Sequence, residues 1–297
     1  MPLDPEVAAL LERQRNLPPR SSLDVAATRE RMRQAGALAG PPPALPKVED
    51  LLLPGPVRAR QYWPAADDGR PIVLYFHGGR FFSGDLESHD TLCRLLAIAA
   101  GCRVVAVDYR LAPENRFPAA VEDACRAIDW ASAQAAPFAV AGDSAGANLA
   151  AVAALAHRHS GLRCQVLIYP MIDAACGSPS FALYAEGYGP AAVDMQRGWA
   201  EYLPPGHDPC DPLASPLYAA DVAGVAPAFL LTAGYDTLRD EAEAYARRLI
   251  EAGNLVQVRR YPGAVHGFFA MPGTLRLARQ ALREVAEFLS FRLSSRA

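Results

Sequence analysis

Ser144 sits at the centre of Gly142-Asp143-Ser144-Ala145-Gly146, between the apolar run 138–141 and a helix-spaced pattern over 145–159. Gly-x-Ser-x-Gly in strand–turn–helix context is a nucleophile elbow. The glycines have a steric reason. The serine occupies a strained turn, and side chains two positions to either side would collide with the strand and the helix. A serine hydroxyl attacks poorly until a base takes its proton, and the base needs an acid to orient it. After such an elbow the partners follow in the order acid, then histidine.

Beyond Ser144 the histidines are His157, His159, His207 and His266. The first two fall on the helix leaving the elbow and read as its solvated end. His207 lies in an irregular stretch and reads as a surface residue. His266 follows the apolar run 256–261 in the loop 262–267, where a base belongs. Asp236 comes straight after the run 229–233, 236−144 = 92 residues past the serine and 266−236 = 30 before the histidine. Asp240 and Glu241 read instead as first-turn residues facing a helix dipole. The catalytic candidates are therefore Ser144, Asp236 and His266, a set suited to acyl transfer. The tetrahedral intermediate of that chemistry needs backbone N–H donors. Ala145, next to the nucleophile, offers one. A loop after an earlier strand should offer the rest, and the run 72–76 leads straight into His77-Gly78-Gly79-Arg80.

The elements that position these residues alternate along the chain. Helical spacing appears at 88–100, 119–134, 145–159, 239–252 and 274–293, with short apolar runs between at 103–107, 138–141, 165–169, 229–233 and 256–261. That alternation predicts an α/β fold, a mainly parallel sheet covered by helices on both faces, with ligands at the carboxyl ends of the strands. Extended segments at 48–53 and 57–63 and a turn at Asp67-Asp68-Gly69 precede the buried strand at 72–76. Upstream, 4–16 and 22–38 have helical spacing, with Ser22 or Asp24 as a cap for the second, and Gly40-Pro41-Pro42-Pro43 breaks the pattern as a linker. Residues 173–216 fit no strand–helix unit and read as a lid or binding insertion.

Composition narrows the class. The 297 residues carry a net charge of −3 and are 51% hydrophobic, enough apolar material for a large core and too little charge bias for a nucleic-acid or anionic-membrane surface. Six cysteines occur at spacings that suit neither a zinc site nor a disulfide framework. The first twenty residues carry charges where a signal peptide has an apolar core, and the most apolar stretch, 135–156, is interrupted by Asp143, Ser144 and Asn148. The expectation is a soluble, cytoplasmic protein with no membrane span.

The chain resembles the hormone-sensitive-lipase-like carboxylesterases of the α/β-hydrolase superfamily. The matching stretches are 75–82, 108–114, 117–120, 142–146, 211–217, 236–241 and 266–269, spread over most of the chain from about residue 71 onward. The resemblance implies an eight-stranded sheet and two units. Residues 1–45 would be cap helices, and 46–297 a catalytic core with a cap insertion near 175–210. It implies hydrolysis of short to medium acyl esters, a small-molecule ester substrate, no cofactor and no metal. Gly79, Arg80 and Ala145 would form the oxyanion hole. A homodimer through the edge strand near 256–261 is a further expectation by resemblance.

Two positions depart from the family pattern. Where the family reads His-Gly-Gly-Gly, Arg80 replaces the last glycine, and Ala147 replaces a second glycine after the elbow. An arginine keeps its backbone N–H, so the donor survives unless the loop needs φ > 0 there. Its side chain is expected to turn back and pair with Asp85 or Asp90, because an unpaired charge beside an apolar pocket is costly. Asp143, Tyr109, Arg110 and Glu114 read as a polar network beneath the site or as loop anchors. Two alternatives share these motifs: an amidase or arylformamidase with the same triad, and a non-catalytic small-molecule-binding protein on this fold.

Overall fold

The computed structural model describes residues 2–66 and 69–294; the turn expected at Asp67 and Asp68 lies outside the described residues. Eight strands form one sheet: β1 (Lys47–Leu52), β2 (Arg58–Trp63), β3 (Ile72–Phe76), β4 (Arg103–Asp108), β5 (Phe138–Asp143), β6 (Gln165–Ile168), β7 (Ala228–Tyr235) and β8 (Val256–Val265). Their order is β1-β2-β4-β3-β5-β6-β7-β8. β2 runs antiparallel to both β1 and β4, and every later pair is parallel.

Period-two alternation sends side chains of one strand to opposite faces, and here both faces are apolar. Ile72, Leu74 and Phe76 of β3 join one core cluster, while Val73 and Tyr75 join the other. The first cluster lies under α4 (Ala119–Ser132), α5 (Ala145–Ala156) and α8 (Arg239–Glu251). The second lies under α3 (Leu86–Ala100) and α9 (Arg276–Ser294). α5 is buried along nearly its whole length and built mostly of alanine, which lets it pack closely against both sheet and α4.

At the chain start, α1 (Pro5–Gln14) is capped by Asp4 and buries Val7 and Leu10 in the second cluster. α2 (Val25–Ala35) is capped by Asp24 rather than Ser22: the Asp24 carboxylate accepts the Ala27 N–H at 2.7 Å. The stretch 173–216 is less irregular than its composition suggests. It contains α6 (Pro179–Leu183) and α7 (Ala192–Tyr202). Its glycines and prolines had masked the helical spacing of Met195, Trp199 and Tyr202, which are all buried.

No helix among the described residues is long and apolar enough to cross a membrane. All six cysteines are free.

Candidate active site

Ser144 joins β5 to α5 with φ 54° and ψ −118°, a strained conformation costing on the order of 1–3 kcal/mol unless its surroundings enforce it. They do so from both sides. Its N–H donates to the Ile168 carbonyl at 2.9 Å, and its own carbonyl accepts from the N–H groups of Asn148 and Met171 at 3.1 and 3.2 Å. A Cβ on Gly142 would sit 2.4 Å from the Gly146 carbonyl oxygen, and one on Gly146 would sit 1.9 Å from that of Phe76. The first glycine clears the helix as expected, while the second clears the neighbouring strand β3.

The structure brings the three candidate residues together. His266 Nε2 lies 3.0 Å from Ser144 Oγ, and His266 Nδ1 lies 2.8 Å from Asp236 Oδ2. All three are buried, Asp236 most completely. The second Asp236 oxygen accepts the Leu238 N–H at 2.9 Å, and the Tyr169 ring lies 4.7 Å from the imidazole. Carboxylate and ring each have a fixed orientation. The expected loop before His266 is instead strand: β8 runs on to Val265, with a register irregularity against β7 at Ala233–Tyr235. β7 likewise continues to Tyr235, so Asp236 and His266 each directly follow the carboxyl end of a strand. Pro262 and Gly263 had marked this as loop, but an edge strand tolerates both.

The other candidates lie elsewhere. α5 ends at Ala156, so His157 and His159 follow it rather than ride on it, and His157 pairs with Asp129 at 3.2 Å. His207 pairs with Asp211 at 2.9 Å and packs on the Phe117 ring. Asp240 pairs with Arg239. Glu241 does lie in the first turn of α8 as expected, but it is fully buried there and accepts the Ile172 and Asp173 N–H groups at 2.9 and 3.2 Å. Burial pushes its carboxyl well above the usual range, with Asp173 and Asp236 adding to the push. The two N–H groups only partly offset this.

Gly79 has φ +133°, and a Cβ there would meet the Ser83 carbonyl at 1.9 Å. Arg80 follows at φ 56° and Phe81 at φ 64°, so the loop does take the left-handed backbone that suits glycine at position 80, and Arg80 itself adopts it, keeping its N–H in the loop at a cost in strain. Among the described residues no hydrogen bond takes the N–H of Gly79 or Arg80. Both residues line a cavity of about 110 Å³ together with Ser144 and His266. Ala145 heads α5, next to Ser144.

The Arg80 side chain turns back, but not to Asp85 or Asp90. Asp85 is taken by Arg33, and Asp90 by Arg94, Arg60 and Tyr62. Arg80 Nη1 instead lies 3.9 Å from Asp194 Oδ1 and 3.4 Å from the Asp194 carbonyl, on α7. Its guanidinium stands over the Phe82 ring. Burial and the nearby Arg20 push Arg80 down to about 10.

Beneath the loop, Asp143 accepts the Tyr75 O–H and the Gly78 N–H, both at 2.9 Å, and its carboxylate lies 3.4 Å from His89 Nε2. Burial alone would raise this carboxyl. The His89 imidazole and the two hydrogen bonds outweigh burial and hold it below its ordinary value. Tyr109 donates to the His77 carbonyl at 2.7 Å, while Arg110 binds Asp123 and Glu114 binds Arg29. Sequence reading missed Arg20, Met32, His89 and Met195, which complete the cavity wall. They come from four distant segments with no local motif.

Among the described residues no cluster of histidine, cysteine, aspartate and glutamate is placed to hold a metal ion. A family model described as the alpha/beta hydrolase fold matches residues 73–270. The chain is 38% identical to an ethyl acetate hydrolase of Pseudomonas putida, over 97% of this chain and 99% of that protein. It is 39% identical to the carboxylic ester hydrolase LipN of Mycobacterium tuberculosis, over 82% and 70%. The solved structure of a hyperthermophilic esterase from the archaeon Pyrobaculum calidifontis superposes with a TM-score of 0.91 at 39% identity, covering 98% of this chain and 99% of the other. The chain belongs to the α/β-hydrolase-fold family, among its hormone-sensitive-lipase-like carboxylesterases.

Proposed function

We propose that this serine carboxylesterase hydrolyses short-acyl esters through an acyl-enzyme on Ser144. His266 Nε2 takes the hydroxyl proton as Ser144 Oγ attacks the ester carbonyl, then returns it to the departing alcohol. Asp236 holds Nδ1–H towards itself and steadies the imidazolium. The N–H groups of Gly79, Arg80 and Ala145 receive the oxyanion. A water activated by the same histidine then releases the acid and restores the serine. The observation that carries this reading is the continuous chain Ser144 Oγ–His266–Asp236 at 3.0 and 2.8 Å.

The small cavity supports short acyl groups, since a cavity of about 150 Å³ holds a benzene. Met32 of α2, Gly36 just beyond it and Met195 of α7 line that cavity. This supports a cap made of the N-terminal helices and the 175–210 insertion over the 46–297 core. Free cysteines suit a cytoplasmic, reducing compartment. The edge position of β8, with Leu255, Val258 and nearby Phe291 exposed, supports a homodimer there.

Turnover of 4-nitrophenyl acetate and butyrate by the intact chain tests the reading. Activity lost in Ser144→Ala and unaffected by chelators is the expected result, and an undiminished Ser144→Ala variant overturns it.

A further inference from the structure

Arg20 lines the cavity that contains Ser144 and His266, and it also lines an adjoining cleft of about 660 Å³ under the N-terminal segment. It belongs to a group of four arginines, Arg20, Arg31, Arg80 and Arg197. Arg80 and Arg197 stand over the same Phe82 ring at 4.8 and 5.2 Å. The carboxylates set against them are Asp194, next to Arg80, and Glu201, 3.5 Å from Arg197; Asp143 also lines the cavity, and Glu12 and Glu186 line the cleft. At the wall of the largely apolar cavity itself, Arg20 and Arg80 stand against the single carboxylate of Asp143, and there a cation without a partner is expensive.

Three of the four guanidinium groups have structural employment. Arg31 donates to the Pro18 carbonyl at 2.6 Å and Arg197 to the Leu23 carbonyl at 2.5 Å. These bonds strap the segment between α1 and α2 onto the helices around it. Arg80 reaches Asp194. Arg20 differs: among the described residues its guanidinium makes no hydrogen bond and no ion pair. Burial and the neighbouring Arg31 lower its pKa, which Asp194 only partly offsets. A planar fork of donors, half-buried between the nucleophile's cavity and an open cleft, matches the geometry of a carboxylate.

We propose that the enzyme selects esters that carry a second, ionised carboxylate, which Arg20 binds at the junction of the two cavities. Arg31 and Arg80 supply the field that favours the anion there, and Asp194 sets its limit by repelling an anion that goes too deep. The inference rests on the ester-hydrolase reading above and names the substrate class of the same site. The carboxylate belongs to either the acyl or the alcohol half of the ester, and the test separates these.

Two substrate pairs compare charge at constant shape: 4-nitrophenyl hydrogen adipate against 4-nitrophenyl methyl adipate, and 4-acetoxybenzoate against its methyl ester. At neutral pH and low salt, the charged member of at least one pair is expected to have a kcat/KM about tenfold or more higher, the scale of one hydrogen bond to a charged group. The preference shrinks at high salt. It collapses in Arg20→Gln and survives in part in Arg20→Lys, which keeps the charge without the fork. A thermal melt of each variant establishes that it is folded.

Equal or poorer turnover of the charged member in both pairs, or a preference that Arg20→Gln leaves intact, overturns the inference while ester hydrolysis stands. Failure of the folded wild-type chain to turn over any of the four esters overturns the ester reading itself.

Discussion

The Asp143 carboxylate accepts the Gly78 N–H at 2.9 Å, so the residue just before Ser144 fixes the loop proposed to offer N–H groups to the oxyanion. Gly78 has to be glycine for this contact, because a Cβ there would lie 2.3 Å from the second Asp143 oxygen. One carboxylate thus ties the carboxyl ends of β3 and β5 together directly beneath the reacting atoms.

Asp143→Ala removes the acceptor for both Gly78 N–H and Tyr75 O–H and leaves two buried donors unsatisfied, each costing about 1–3 kcal/mol. The expected outcome is a folded but less stable protein whose kcat falls about a hundredfold, the scale of losing one oxyanion donor. Asp143→Asn keeps an acceptor oxygen and falls less. Steady-state kinetics on a short ester, beside a denaturant melt, check this. A kcat within twofold of wild type in Asp143→Ala contradicts the role given to the contact.

The same carboxyl sets an acid limit. Its folded-state pKa lies below the ordinary value, because the His89 imidazole and the hydrogen bonds from Tyr75 and Gly78 outweigh burial. A depressed carboxyl contributes stability that is fully present above the unfolded aspartate value, about 3.9. That stability is lost as pH falls through the lower folded value. Wild-type stability should therefore decline below about pH 4, and Asp143→Asn should show a shallower decline from a lower plateau. Urea melts at closely spaced pH values measure both slopes.

Glu241 behaves in the opposite sense. Its folded pKa is raised, by burial first and then by Asp173 and Asp236. The stabilisation this brings is present below the unfolded glutamate value and disappears as pH rises through the folded value. Glu241→Gln keeps an oxygen for the Ile172 and Asp173 N–H groups and cannot ionise. Its melting temperature relative to wild type should climb as pH is raised from 5 to 9. A constant difference across that range contradicts a protonated Glu241.

How much of this was legible in the sequence depended on how local the signal was. Ser144, Asp236 and His266 each stand just past an apolar run, and the sheet order brings those ends to one edge, β7 beside β8 with β6 between them and β5. Residue type and chain order therefore sufficed to select the three that meet. Strand ends were legible only from composition: Pro262 and Gly263 hid the last residues of β8, which an edge strand accommodates. Glu241 is the helix-start acid it looked like, but nothing local reveals that the stretch after β6 buries it. Arg80 was assigned to acids near it in the chain, whereas its partner is Asp194, 114 residues away on α7. Partners contributed by the 173–216 segment had no signature, since that segment's position over the site is set by tertiary packing alone.

Met195 offers a test of that segment's effect on selectivity. It is fully buried on α7 and forms part of the wall of the 110 Å³ cavity, which Met32 of α2 also lines. Both side chains are flexible thioethers, which fill irregular space closely. Met195→Ala opens the cavity by most of a side chain and costs about 2–5 kcal/mol of stability, which a chain of this size survives. The acyl group then has room to extend under α7. The expected result is a shift in the kcat/KM profile of 4-nitrophenyl esters: hexanoate and octanoate gain about tenfold relative to butyrate, the worth of one or two buried methylenes. An unchanged chain-length profile in a folded Met195→Ala variant places the acyl group elsewhere, and the α2–α7 wall would then bound the alcohol half instead.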